Sequence, residues 1–203
     1  RGNADGIFIN TAGIGWIPHG VDLSPGRVRE GDRIVVSGSM GDHGMAVLCQ
    51  REGLEFDTSL VSDCAPLNGL VRSILDRHKG VRVMRDPTRG GLATALVELA
   101  EGSGLGFEIE ETRVPVHEGV RAGCELLGLN PLYLPNEGKL VLIADPGEAD
   151  TILETMSGHC LGREAGIVGQ VVSDHPKRVA LKTVIGVRRV LEMLTGAQLP
   201  RIC

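Results

Sequence analysis

Aromatic side chains are scarce in this sequence. One Trp, one Tyr and three Phe make 2% of 203 residues, so the core has to be assembled from aliphatic residues. No basic run exceeds two residues and the net charge is −5, which removes the electrostatic footprint of a nucleic-acid binder or of a protein drawn to anionic membranes. No apolar stretch approaches the ~18–20 residues that cross a bilayer, and the start, Arg1-Gly2-Asn3-Ala4-Asp5, has no signal-peptide character. A soluble, cytoplasmic protein with neither nucleic-acid nor membrane partner is expected. An initiator Met is also lacking and the chain opens directly into a strand-like run, as expected of a piece of a longer protein without its N-terminal part.

There is no CxxC pair. Cys49, Cys64, Cys124, Cys160 and Cys203 are an odd number and widely spaced, which indicates neither a disulfide framework nor a zinc knuckle. Cys49 and Cys124 fall within amphipathic helical patterns, where a thiol behaves as a small hydrophobe. Cys64 and Cys160 are open to either reading. Cys203 is the last residue of a tail, Gln198-Leu199-Pro200-Arg201-Ile202-Cys203, and is either an incidental terminal thiol or one that can travel.

What is plentiful is glycine, 29 residues, about twice ordinary usage, which implies many tight turns. An apolar run over residues 6–15 reads as strand, and the breaker-rich 25–31 as a connector at a domain boundary. Arg33-Ile34-Val35-Val36-Ser37 reads as a buried strand, residues 38–44 as a glycine-rich turn, and Met45 onward as a helix. Leu67, Leu70, Val71, Ile74 and Leu75 form a helical stripe. A strand over 81–85, a glycine turn and a helix carrying Leu92, Ala95, Leu96 and Leu99 repeat the order strand, loop, helix. Phe107 and Ile109 alternate with Glu108 and Glu110 as in a half-buried strand. Further on, a helix is expected over 119–127, strands over 132–134 and 139–144, a helix over 148–157, paired strands over 167–172 and 178–183, and a last helix marked by Val187, Val190, Leu191 and Leu194. Mixed strands and helices with consecutive strands near the end predict an α+β two-layer domain rather than a doubly wound sheet.

Three segments could carry chemistry. Ser37-Gly38-Ser39-Met40-Gly41-Asp42-His43-Gly44 puts glycines and backbone N–H groups at a helix start, where orphan donors and partial positive charge favour a phosphate. No Lys-Ser or Lys-Thr closes it as a Walker A loop, Asp42 also suits a helix cap, and His43 a turn, so structural turn and anion site both remain open. Arg85-Asp86-Pro87-Thr88-Arg89-Gly90-Gly91 gathers a carboxylate, a hydroxyl and two guanidinium groups on a turn and suits an oxyanion; equally, Asp86 could pair locally with an arginine while Thr88 caps the next helix. In Pro135-Asn136-Glu137-Gly138-Lys139 an acid sits at a turn, as a solvated residue or as a working one.

Taken in order, Ala4-Asp5-Gly6-Ile7-Phe8-Ile9-Asn10-Thr11, Ser37-Gly38 through Gly41-Asp42-His43-Gly44, Met84 through Leu92, Asn136-Glu137-Gly138-Lys139 and the terminal Pro200-Arg201-Ile202-Cys203 resemble the HypE family of hydrogenase-maturation carbamoyl dehydratases. The likeness spans essentially the whole chain, and the terminal motif separates this branch from its relatives, aminoimidazole ribonucleotide synthetase, thiamine-monophosphate kinase and selenophosphate synthetase. It implies a PurM-like α+β fold, with residues 1–28 a remnant of the N-terminal ATP-binding domain, 29–195 the C-terminal domain and 196–203 a flexible tail. ATP and magnesium are then held mostly by the missing N-terminal domain, which also makes the homodimer contact, and no metal ligand is assigned in this chain.

In the family, HypF loads a carbamoyl group onto the terminal thiol, which maps onto Cys203. ATP-dependent dehydration then turns S-carbamoyl into S-cyanate, passed through a HypC–HypD complex as a cyanide ligand of the hydrogenase iron. The resemblance assigns Glu137 as the base, and offers Gly38, Gly41, Asp42, His43, Gly44, Asp86, Thr88, Arg89, Gly90 and Gly91 as candidates to hold phosphate or tail. The alternative it leaves is an isolated interaction module that presents the tail to those partners without doing chemistry.

Overall fold

The structure, a computed structural model, describes residues 10, 12–54 and 60–194. Half of the expected strand over 6–15 therefore falls outside the described residues, and the tail with Cys203 lies wholly outside them; residues 12–15, which are described, are exposed and form no strand.

Strand β1 (Arg33–Val36) contributes three consecutive residues, Ile34, Val35 and Val36, with no solvent exposure. A strand apolar on both faces belongs at the centre of a covered sheet. It lies third in a seven-stranded sheet ordered β2-β4-β1-β5-β3-β6-β7, with β2 Val81–Arg85, β3 Gly106–Glu110, β4 Val141–Ala144, β5 Gly166–Val172, β6 Val179–Lys182 and β7 Arg188–Leu191. Every pairing is antiparallel except β3 with β6.

Alternation along the strands sends Ile34, Val36, Phe107, Ile109, Val179 and Leu181 to one face, where they pack against helix α3 (Gly91–Ser103) through Leu92, Leu96 and Leu99. On the other face, α2 (Asn68–Leu75) and α5 (Ala149–Ser157) lay Leu70, Ile74, Ile152 and Met156 over Val35, Val81 and Leu142. A smaller cluster joins α1 (Asp42–Glu52) to α4 (Glu118–Leu127) through Met45, Leu48, Cys49, Val120 and Cys124. The α+β reading stands, and Cys49 and Cys124 are core residues. Burial raises both thiols, that of Cys124 to about 11. Cys64 and Cys160 are exposed.

Three expectations are corrected. Residues 132–134 are not a strand: Pro131–Tyr133 form a 3-10 turn, begun by the Asn130 side chain accepting the Leu132 N–H, and Leu134 ends it. Pro131 and Pro135 bracket this segment, and neither can donate to a sheet. The strands β5 and β6 do not pair with each other, because β3 lies between them. The last element is strand β7, not a helix: the Thr183 N–H donates to Val187 O at 2.8 Å, closing a turn that returns the chain along β6. The helix-like spacing of Val187, Val190 and Leu191 loses to that hairpin, where β-branched residues suit a pleated edge strand.

Candidate functional site

The three sequence segments meet at one side chain. Asn136 is completely buried. Its Oδ1 accepts the Gly41 N–H at 2.7 Å, and its Nδ2 donates to Pro87 O at 3.0 Å and Leu134 O at 3.1 Å. Its own backbone N–H also donates to Pro87 O, at 3.2 Å. One amide thus ties the glycine loop after β1 to the turn after β2 and to the turn before β4. Ser37 adds a second stitch, donating its N–H to Leu140 O and accepting the Leu140 N–H on its hydroxyl, both at 3.0 Å.

The glycine loop is a frame with its donors largely committed. Met40 N–H bonds Pro115 O, Gly41 N–H bonds Asn136, and Gly44 N–H bonds Pro135 O. Asp42 does not cap α1; its carboxylate instead receives His117 Nδ1 at 2.9 Å, and His117 Nε2 reaches Glu164 at 3.1 Å. Burial lowers the His117 pKa, but hydrogen bonds to Glu164 and Asp42 and their negative charges outweigh it, so the imidazole is held above its ordinary value. His43 Nδ1 lies 2.8 Å from Ser62 Oγ.

The Asp86 turn departs from the expected local pairing and cap. Arg85 pairs with Glu98 of α3, and Asp86 accepts the Thr88 hydroxyl at 3.1 Å. Thr88 is not the cap of α3; Gly90 is. Arg89 is exposed and forms no ion pair among the described residues. Gly91 sits where a Cβ would stand 2.5 Å from Leu132 O and 2.6 Å from Leu134 O, so only glycine lets α3 begin against the 3-10 turn.

Glu137 is half-buried, and its N–H donates to Asp63 Oδ1 at 2.9 Å. The chain at Asp63 crosses directly over the next residue: a Cβ on Gly138 would stand 1.8 Å from Asp63 O. Asp63 Oδ2 is buried with no hydrogen-bond partner among the described residues. Burial raises the Asp63 carboxyl; the Glu137 N–H and the Lys139 charge oppose this, Asp42 adds to it, and His43 opposes it. Lys139 itself lies along Gly38. The sequence reading passed over Asp63, His117 and Glu164. Ser62-Asp63-Cys64-Ala65-Pro66 is an ordinary polar loop by composition, and only tertiary contact distinguishes it.

The described residues thus bring Gly38, Gly41, Asp42, His43, Gly44, Asp86, Thr88, Arg89, Gly90, Gly91 and Glu137 onto segments joined through Asn136, whereas Cys203 lies outside them. No group of three or more His, Cys, Asp or Glu suited to a metal occurs among the described residues. No magnesium ligand set is assigned among the described residues. No helix among them is long and apolar enough to cross a membrane.

Residues 29–182 match the family AIR synthase related protein, C-terminal domain. The carbamoyl dehydratase HypE of Bradyrhizobium diazoefficiens is 50% identical over 100% of this chain and 59% of its own length. A crystal structure of the hydrogenase maturation protein HypE in complex with ATP superposes with a TM-score of 0.85 at 45% identity, covering 89% of this chain and 55% of that one. A HypE–HypF complex gives 0.82 at 41%, covering 87% and 57%. The chain spans about three-fifths of the length of the curated relatives it matches. Matching the family model over residues 29–182, half identical to a curated HypE along its whole length and alike in fold to solved HypE structures, the chain belongs to the AIR synthase-related family, in its HypE branch.

Proposed function

We propose that the full-length protein to which this chain belongs matures [NiFe] hydrogenase by dehydrating an S-carbamoyl group on Cys203 to S-cyanate at the expense of ATP. The observation that carries the reading is the Asn136 clasp, which joins the segments bearing Glu137, Asp86-Thr88-Arg89 and the glycine loop in a chain half identical to a carbamoyl dehydratase. Relatives solved with ATP and with HypF support a nucleotide site and a carbamoyl-donating partner. HypC–HypD as the cyanide acceptor, a homodimer, a cytoplasmic setting, and ATP and magnesium ligands mainly in a preceding domain complete the proposal. The domain limits are 1–28, 29–195 and 196–203.

The chemistry assigns work to this chain's residues. An amide oxygen leaves poorly until it is phosphorylated, and the nitrogen must lose protons before a C≡N bond can form. Glu137 is the base. Asp86, Thr88 and Arg89 hold the phosphate or the tail, with Arg89 free to meet an anion. The Asp42 and His43 end of the glycine loop frames the same site. Cys203 carries the group between partners.

The test is Glu137→Gln in the full-length protein, read by terminal-peptide mass spectrometry after HypF, carbamoyl phosphate and ATP. Carbamoylation of Cys203 should persist while the cyano form, lighter by one water, appears ~10²–10⁴-fold more slowly. Cyano formation at the parent rate in folded Glu137→Gln protein would remove Glu137 from its role.

A further inference from the structure

The sequence holds a single tyrosine, Tyr133, which has no task in the chemistry so far. We propose that Tyr133 is a positioning residue for the thiol-bearing tail: its hydroxyl fixes the point from which the chain sets out toward Cys203. The inference deepens the carbamoyl dehydratase reading and rests on it.

The β6–β7 ladder explains why the contact forms. The Thr183 N–H donates to Val187 O, which makes these two a hydrogen-bonded pair. Bonded and non-bonded pairs alternate along an antiparallel ladder, so Leu181–Arg189 and Val179–Leu191 are bonded as well, and the N–H and C=O groups of Arg188, Val190 and Glu192 turn toward the free edge. At Arg188 and Val190 they meet no partner among the described residues. Glu192 is different. The Tyr133 hydroxyl donates to Glu192 O at 3.0 Å and accepts the Glu192 N–H at 3.2 Å. One side chain thus stands in for a neighbouring strand.

Leu191, 3% exposed, seats the end of β7 in the core, so Glu192 is the first residue whose course the ladder does not set. Tyr133 sets it. The half-buried ring packs against the core cluster under α3, and its backbone lies in the 3-10 turn that leads through Leu134 and Pro135 to the buried Asn136. The root of the tail is therefore fastened to the clasp that gathers Glu137 and the Asp86 turn. Chain geometry bounds the distances. Tyr133 and Glu137 are four residues apart, at most ~14 Å, and the tyrosine side chain with its hydrogen bond adds ~10 Å, so Glu192 lies within roughly 24 Å of the base. Cys203 lies eleven residues beyond Glu192, a reach of at most ~36–40 Å. The thiol can meet the acid of its own chain, at a local concentration that depends on where its tether starts.

Two measurements on the full-length protein test this through Tyr133→Phe, which keeps the ring and removes only the hydroxyl. For the first, Glu137→Cys in a Cys64→Ser, Cys160→Ser background puts a second thiol at the base position. In a glutathione redox buffer, the ratio of its disulfide with Cys203 to the mixed glutathione disulfides gives the effective concentration of the tail thiol at the site, with no need of ATP or dehydration. Tyr133→Phe should lower it ~3–10-fold from a parent value of millimolar order. For the second, single-turnover cyano formation from carbamoylated Cys203, with Glu137 intact, should slow by the same factor. An unchanged effective concentration overturns the inference, because a hydroxyl that merely braced β7 would lower the urea midpoint and move neither readout. Cyano formation at the parent rate after the effective concentration has fallen overturns it too. If parent protein forms no cyano adduct while the thiol readout still responds to Tyr133→Phe, the failure belongs to the dehydratase reading alone.

Discussion

Replacing Asn136 by Ala should cost more than any other single-amide deletion in this fold, because three loops share that side chain. The change strips Gly41 N–H of its acceptor and Leu134 O of its donor, while Pro87 O keeps the Asn136 backbone N–H at 3.2 Å. Two buried groups left unsatisfied cost about 1–3 kcal/mol each, so a loss of about 2–6 kcal/mol is expected, with about 4 as the central value. Against the ~5–15 kcal/mol that ordinarily separates folded from unfolded chains, this is a large fraction of the total. Urea unfolding of parent and variant measures it as a lower midpoint at unchanged slope.

Asn136→Asp refines the test. Its carboxylate can still accept from Gly41 but turns a second oxygen toward two carbonyls, which favours the protonated, donating form and raises that carboxyl's pKa in the folded state. The folded variant then binds a proton that the unfolded chain releases, so its stability falls as pH rises from the unfolded carboxyl value, ~3.9, through the higher folded value. A loss below ~1 kcal/mol for Asn136→Ala, or an Asn136→Asp deficit independent of pH, would refute the clasp.

Arg82, with its side chain only 9% exposed, faces Asp32 at 3.3 Å and Asp145 at 2.5 Å; Arg82→Ala strands the buried Asp32 charge and should cost ~3–5 kcal/mol by denaturant unfolding, most of it regained when Asp32→Leu is added. Should the double variant regain nothing, the stranded charge is not the cause. His117→Gln tests the imidazole between Asp42 and Glu164: with its folded pKa raised, the parent's advantage is fully present below the ordinary value of 6.5 and disappears as pH climbs past it through the folded value. Because the His117 and Glu164 side chains are about half exposed, that advantage should stay within ~1 kcal/mol; an advantage that grows with pH would contradict the assignment.

Local chemistry made much of this fold readable. Ile34-Val35-Val36, the 81–85 strand and the α3 stripe each announce themselves because period and burial agree. Residues 187–194 misled because Val187, Val190 and Leu191 fit a helical stripe while a turn five residues long, closed by Thr183 and Val187, decided the matter. The three motif segments were legible as candidates, but their meeting was not: Gly41 and Asn136, Asp63 and Glu137, and Asp42 and His117 are brought together by the sheet order. Composition cannot distinguish an Asp in a polar loop from one whose oxygen is sealed against the turn.

That sheet order also sets a timetable for synthesis. Arg33 of β1 pairs with Ala144 on one side and Gln170 on the other, so this largely apolar strand emerges from the ribosome long before either neighbour exists. At ~5–20 residues per second the wait is on the order of ten seconds, during which Ile34, Val35 and Val36 have no ladder to join. Such late, long-range closure slows folding and leaves an apolar segment without its partners until β4 and β5 arrive.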